Sequence, residues 1–413
     1  MTRPVFLVYC PVTDDTISDL LGRPDYSYYF VMKRFAPLLA ELGDVRQVKD
    51  LDDLGEAVES ARADGGDPLL MLFAPPHEVP VDATCPVVPV FAWEFDTIPD
   101  EAFGGDPRSN WVSVLGSVPG AITHSEYAVS AVRGALGPDY LVASMPAPVA
   151  DGFAAIEDAD WTGEPRTLTL EGAIVDSRTM TVDPDHFYET PEFVTADQTL
   201  ELSGVVFTAI FNPQDKRKNW YDIITAFVWA FRDNPDATLV LKLVHFERDL
   251  SCWMMLQEMR KLYPYSCRIV VIHGFLSTES FHDLLRATAF TVNAAHAEGQ
   301  CLPLMEYMAA GKPAIAPNHT AMADYITDDS AFPVSSSIEL AAWPQDPRQV
   351  FRCVRYRIKW DTLRDAYRAA FDVATNDLPR YRQMSQAARQ AQLGNCSDAV
   401  TLERLRAFLA QLP

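Results

Sequence analysis

Along most of the chain, short apolar runs of strand length alternate with stretches whose apolar residues recur every three or four positions. That alternation predicts parallel sheets layered with helices. In the first part, 5–9 reads as a buried strand and 30–42 as an amphipathic helix, with further strands over 68–73, 87–93 and 121–123. Ser125 is placed to N-cap a helix running to Leu136, Gly137 stands just past its end, and 140–144 reads as another strand. A second series begins with a strand over 205–211. It continues as helix 220–233, strand 238–244, helix 253–262, strand 268–272, helix 277–287 and strand 290–293. A short helix opens near Pro303, strands over 314–316 and 331–334 follow, and 361–412 reads as helical with a weak break at Gly394.

Residues 150–203 differ in character, being rich in Asp, Glu, Thr and Pro. Their polar–apolar alternation, as in Thr167-Leu168-Thr169-Leu170, predicts a β-hairpin. A disordered tether would leave Trp161, Phe187, Tyr188 and Phe193 in water. The expected organisation is an N-terminal α/β domain over 1–160, a linker with the hairpin over 161–203, a second α/β domain over 204–380, and helices over 381–413 that cross back to the first domain. Both domains read as Rossmann-like, doubly wound sheets. Ligands of such sheets sit outside the carboxyl ends of the strands, so the cleft between the two is the expected site.

Composition narrows the chemistry. A length of 413 residues suits two cores. The formal charge of −23 speaks against nucleic acid and against broad attachment to anionic lipid, although peripheral contact through a local basic patch is compatible with it. A phosphate-bearing ligand must therefore meet a concentrated positive site. No apolar run reaches the roughly 18 to 20 residues of a membrane span. After Met1-Thr2-Arg3-Pro4 the apolar stretch is too short for a signal peptide and no cleavage site follows, so a cytoplasmic protein is expected. Seven scattered Cys without a CxxC pair, and eight His without HExxH, read as reduced thiols and no metal centre. The short Asp158-Ala159-Asp160 and Asp183-Pro184-Asp185 lie in the acidic linker and read as chance likenesses of a metal-binding DxD. GxGxxG, GxxxxGK[ST] and GxSxG are absent, which removes the usual dinucleotide turn, P-loop and hydrolase elbow.

Two segments carry chemistry. The first, 298–306, holds Glu298 and Glu306 separated by seven residues and follows a strand. Pro303 suits a first helical turn and Gly311 a helix stop. The helix start then offers free amides near 300–303 and the positive dipole end to an anion. Gly299 would let a ligand approach the backbone. A carboxylate at 306 suits a ribose diol, and one at 298 a sugar hydroxyl. The second segment, Asn212-Pro213-Gln214-Asp215-Lys216-Arg217-Lys218-Asn219, puts three successive cations between a strand end and a helix, where a leaving diphosphate would need them. Lys242, inside an apolar strand, reads either as a cation aimed at the cleft or as a snorkelling edge residue. The run Tyr26–Tyr29 reads as packing.

With these segments the chain resembles the retaining GT-B glycosyltransferases of the family 4, or group 1, type. The Glu-x7-Glu motif, its ending in an apolar residue, Gly and Pro, and the order of elements over 204–330 carry the likeness. The resemblance implies a GT-B fold, two Rossmann-like domains facing across a cleft, and sugar transfer from a nucleotide diphosphate without a metal. The acceptor would be a carbohydrate or a lipid-linked group, in polysaccharide or glycoconjugate biosynthesis. It implies Glu306 on the ribose, Glu298 by the donor sugar, the amides of Gln300, Cys301 and Leu302 on the diphosphate, and Gly299 within the same donor-binding segment. Lys218-Asn219 stands where the family has a Lys-Gly pair. Pro213 stands where the family has an arginine, leaving Asn212, Lys216 or Arg217 to supply that contact. His273-Gly274-Phe275 matches the segment that holds the base. Glu298 and Lys218 are thus the expected catalytic residues. In the N-terminal half the family's Gly-Gly turn is missing, and Trp93, Glu94 and His124 at strand ends are the acceptor-side candidates. Another GT-B enzyme, a sugar-nucleotide epimerase or phosphorylase, stands as an alternative, as does a non-catalytic sugar-nucleotide-binding protein.

Overall fold

The computed structural model describes residues 3–17, 20–23, 25–183, 185, 187–344 and 346–413. Met1, Thr2 and Pro184 of the motifs above lie outside them. The first domain is built from β1 (Pro4–Tyr9), α1 (Tyr26–Leu42), β2 (Asp44–Gln47), α2 (Leu54–Ala63), β3 (Asp67–Leu72), β4 (Val87–Phe91), α3 (Trp111–Leu115), β5 (Ala121–Thr123), α4 (Glu126–Leu136), β6 (Val142–Ser144) and α5 (Ala150–Ala154). Its six strands form one parallel sheet in the order β2-β1-β3-β4-β5-β6. Short apolar strands with both faces covered are what a parallel sheet requires, and all five residues of β4 are buried. Ser125 caps α4 by accepting from the amide of Ala128 at 3.1 Å, and Gly137 follows the helix with φ +100°.

The second domain contains β7 (Arg166–Asp176), β8 (Ala196–Leu202), β9 (Val205–Phe211), α6 (Trp220–Phe231), β10 (Ala237–Leu243), α7 (Arg248–Leu262), β11 (Arg268–His273), α8 (Thr278–Ala287), β12 (Phe290–Val292), α9 (Leu302–Ala309), β13 (Ala314–Pro317) and β14 (Ala331–Val334). The sheet order is β14-β13-β12-β9-β10-β11-β7-β8, with β9 to β14 parallel and β7 and β8 antiparallel at the edge. The hairpin expected at 161–203 therefore exists, and β7 joins it to β11 as an extension of this sheet. Among the elements the hydrophobic pattern did not suggest is a second hairpin, β15 (Ser336–Ala342) with β16 (Arg352–Ile358). It reaches the first domain through Thr97, whose hydroxyl donates to the Arg352 carbonyl at 3.0 Å, and through Asp96, which accepts from the Val354 amide at 2.6 Å.

The tail forms α10 (Trp360–Asn376), α11 (Leu378–Cys396) and α12 (Asp398–Leu409). Gly394 does not break it. The breaks fall at Asp377 and Ser397, whose side chains cap the next helix by accepting from Arg380 and Val400. Pro379 starts α11 where a missing amide hydrogen costs nothing. Helix α12 packs on α1, and the Asp398 amide donates to Asp151 at 2.6 Å. One apolar cluster runs from Phe6, Val31 and Phe35 of the first domain to Leu304, Ala388, Leu405 and Phe408 of α9, α11 and α12. No described helix is long and apolar enough to cross a membrane.

Candidate active site

The carboxyl ends of the two sheets border a cleft of about 1360 Å³. Lys218 ends a short 3-10 turn after β9, and Asn219 turns the chain into α6 with φ +50°. That left-handed backbone is tolerated best by Gly and then by Asn, which accounts for Asn219 where the resembled family has glycine. The turn brings the Lys218 Nζ to both carboxylate oxygens of Glu298, at 2.8 and 2.7 Å. Asn293, just past β12, donates to Glu298 Oε1 at 3.1 Å, and the Glu298 amide donates to the Thr320 hydroxyl at 3.1 Å. Burial works against the Lys218 charge, but the Glu298 carboxylate outweighs it and raises the ammonium above its ordinary value. The two expected catalytic residues therefore meet as a buried pair.

Helix α9 starts beside that pair. Cys301 adopts φ +63° immediately before the helix, and Pro303 occupies its first turn. None of the Gly299, Gln300 and Cys301 amides donates to another described residue, so they and the helix N-terminus are available to an anion. The Cys301 thiol accepts from Asn293, and burial pushes it well above the usual thiol range, so it is no nucleophile. Gly299 also lies against the first domain: a Cβ there would stand 3.0 Å from Ala92 Cβ and 3.2 Å from the Trp93 amide nitrogen. This glycine lets the two domains close. Gln300 reinforces that contact, its Oε1 accepting from the Ala147 amide at 3.1 Å. Glu306 lines the cleft one turn into α9. Burial pushes its carboxyl up to about 7, with Arg34 pulling it partly back.

The triple-cation segment divides its labour. Arg217 forms an ion pair with Glu94 of the first domain at 2.5 Å and another with Asp215 at 2.7 Å. Burial opposes its charge, and the two carboxylates more than restore it. Burial in turn raises the Glu94 carboxyl, with Arg217 pulling the other way. Glu94 is thus an inter-domain ion-pair partner here, facing the expected donor side. Asn212 spans the domains differently, donating from Nδ2 to the Gly22 carbonyl at 2.9 Å. Lys216 is exposed and lines the cleft.

Other expected residues separate. Phe275 lines the cleft, whereas His273 and Gly274 face an adjoining pocket shared with His245 and Arg248. His273 is buried, and its Nε2 hydrogen-bonds the His245 carbonyl at 2.7 Å, so it braces the loop. Trp93 lines the cleft, its indole donating to the Thr97 carbonyl at 2.8 Å and its ring lying 4.6 Å from Trp111 and 5.5 Å from Trp343. His124 must be corrected: it lies in the core of the first domain, Nδ1 bonded to the Met145 carbonyl at 2.9 Å, and burial lowers it to about 4. Strand-end position alone suggested it, and the ring turns inward. Asp160 of the false DxD pairs with Arg389 at 3.1 Å.

Sequence reasoning passed over Arg34, which lines the cleft with Tyr26 and Phe30 on α1. Spacing by four along a helix puts these three on one stripe, and that stripe was the available signal.

Residues 204–354 match the family model of glycosyl transferases group 1. This group 1 segment contains Lys218, Glu298 and Glu306. Solved structures share the fold over the whole length. HepE of Anabaena in complex with UDP is 12% identical, with 100% of both chains covered and a TM-score of 0.60. Sucrose-phosphate synthase from Thermosynechococcus elongatus is 14% identical, with 99% of each chain covered and a TM-score of 0.59. A glycosyltransferase from Rickettsia africae is 11% identical, covering 100% of this chain and 99% of that one, with a TM-score of 0.58. The fold is GT-B. No curated protein sequence matches the chain significantly.

Proposed function

We propose that the protein is a retaining glycosyltransferase that moves a sugar from a nucleotide-diphosphate donor to a carbohydrate or lipid-linked acceptor. The observation carrying this reading is the meeting of the Lys218–Glu298 pair with the unused amides at the start of α9, inside the inter-domain cleft. The group 1 segment supplies all of these atoms.

On this reading the diphosphate lies on the Gly299–Leu302 amides and Lys218, and the ribose diol on Glu306. Developing charge on the leaving phosphate is met by fixed dipoles and an ammonium in a site shielded from water. Those groups do the work a metal does elsewhere, so the reaction is metal-independent. The acceptor hydroxyl attacks C1 on the face the phosphate leaves. The C1–O bond to phosphate breaks, the bond to the acceptor oxygen forms, and the departing phosphate oxygen takes the acceptor's proton. Glu298, held by Lys218 and Asn293, orients the donor sugar and is not a nucleophile. Catalysis takes place in the cytoplasm, in polysaccharide or glycoconjugate assembly, as the resemblance to the group 1 type implies.

Thermal shift against nucleoside diphosphates and their sugars is the first test, with UDP included because HepE is crystallised with it. A saturable rise of several degrees with one diphosphate is expected by linkage, followed by product with a retained anomeric configuration. Absence of both binding and transfer across the panel overturns the reading.

A further inference from the structure

Strand β10, Ala-Thr-Leu-Val-Leu-Lys-Leu, is buried at every position. Its penultimate residue, Lys242, is 5% exposed and sits between Ile210 of β9 and Ile272 of β11. Alternation along the strand puts it on the face of Val240, which packs with Leu276 and Leu284. The sequence left two options, cleft or edge, and β10 is an interior strand. No carboxylate or hydrogen-bond acceptor among the described residues partners Lys242, yet it lines the cleft. Burial alone acts on its ammonium and lowers it to about 8.

An unpaired ammonium in an apolar wall is unfavourable unless a ligand brings the opposite charge. The nearby cations do not share this need: Lys218 is matched by Glu298, and Arg217 by Glu94 and Asp215. Sheet order places Lys242 between the β9 loop that carries Lys218 and the β11 loop that carries Phe275. A nucleotide lying across these strand ends must pass over it.

We infer that Lys242 is a ligand-binding cation that contacts a phosphate oxygen of the donor diphosphate. This rests on the donor-site reading above and adds to it the charge that the carboxylate-paired cations leave unsupplied. A charge-assisted hydrogen bond of this kind corresponds to roughly a 10- to 100-fold effect on affinity.

Binding of UDP, uridine and inorganic pyrophosphate to the full chain is measured calorimetrically for wild type and Lys242→Met. Methionine keeps the length and apolar stem of the side chain. The variant is expected to weaken UDP and pyrophosphate by that factor, to leave uridine unchanged, and to melt higher than wild type without ligand, because a buried charge is gone. UDP affinity equal to wild type overturns the inference while leaving the donor site standing. Equal losses for uridine and UDP assign Lys242 to the nucleoside and overturn it too, as does a lower melting temperature accompanying the lost binding, which marks a structural role. Wild type binding neither UDP nor pyrophosphate refutes the diphosphate site itself.

Discussion

At the scale of single residues, the pair Lys218–Glu298 changes what a substitution should do. Glu298 is buried and its partners are Lys218 and Asn293, so removing the ammonium leaves a carboxylate without its counter-charge. Lys218→Met is expected to cost on the order of 3 kcal/mol in denaturant unfolding, and adding Glu298→Gln should recover part of it. A loss of activity in the single variant must therefore be read beside its stability. Glu306 titrates where it matters for binding. Its folded value of about 7 lies above the ordinary 4.5. The native protein thus holds an extra proton between those values, a contribution present at low pH and lost as pH rises through 7. The charged carboxylate accepts from both hydroxyls of a ribose diol and more strongly than the neutral acid, so nucleotide affinity should fall as pH drops below about 7, and Glu306→Gln should flatten that profile. Calorimetric titrations from about pH 5.5 to 8.5, which bracket the folded value, would check it.

Among elements, capping was readable and burial partners were not. Ser125 accepts from Ala128 and is itself buried, so Ser125→Ala should cost about 1 kcal/mol by chemical denaturation. Most strands of the two sheets and the start of α9 were legible because apolar runs, Pro303 and Gly311 act locally, whereas β2, which has no buried residue, left no apolar run to read. The break assigned to Gly394 failed because a glycine inside a helix costs only about 1 kcal/mol, and packing of Tyr381, Met384, Ala388 and Cys396 carries α11 through it. The inward turn of His124 and the engagement of Arg217 by Glu94 depend on residues far apart in the chain. Spacing could name Glu94 and Arg217 separately, but no local pattern joins them. The hairpin β15–β16 was missed because its strands are half exposed and its anchors, Asp96 and Thr97, belong to the other domain.

For the whole molecule, the cleft is held by charge as well as by packing. Arg217 and Glu94 bridge it, and Gly299 lies against Ala92 and Trp93. A diphosphate at the α9 N-terminus would compete with Glu94 for Arg217. Glu94→Gln should weaken that competition and tighten nucleoside diphosphate binding by roughly threefold or more. Unchanged or weaker binding in a calorimetric titration would show that Arg217 stays with its carboxylates.

The return of α12 onto α1 also orders events during synthesis. Domains generally fold as units, the N-terminal one first, as a chain emerges. Here the surface of α1 and the cluster around Phe35 await Leu405 and Phe408, which are made only after the entire second domain. The nascent first domain must carry an uncovered apolar face throughout that interval, exposed to other nascent chains and to holdase chaperones.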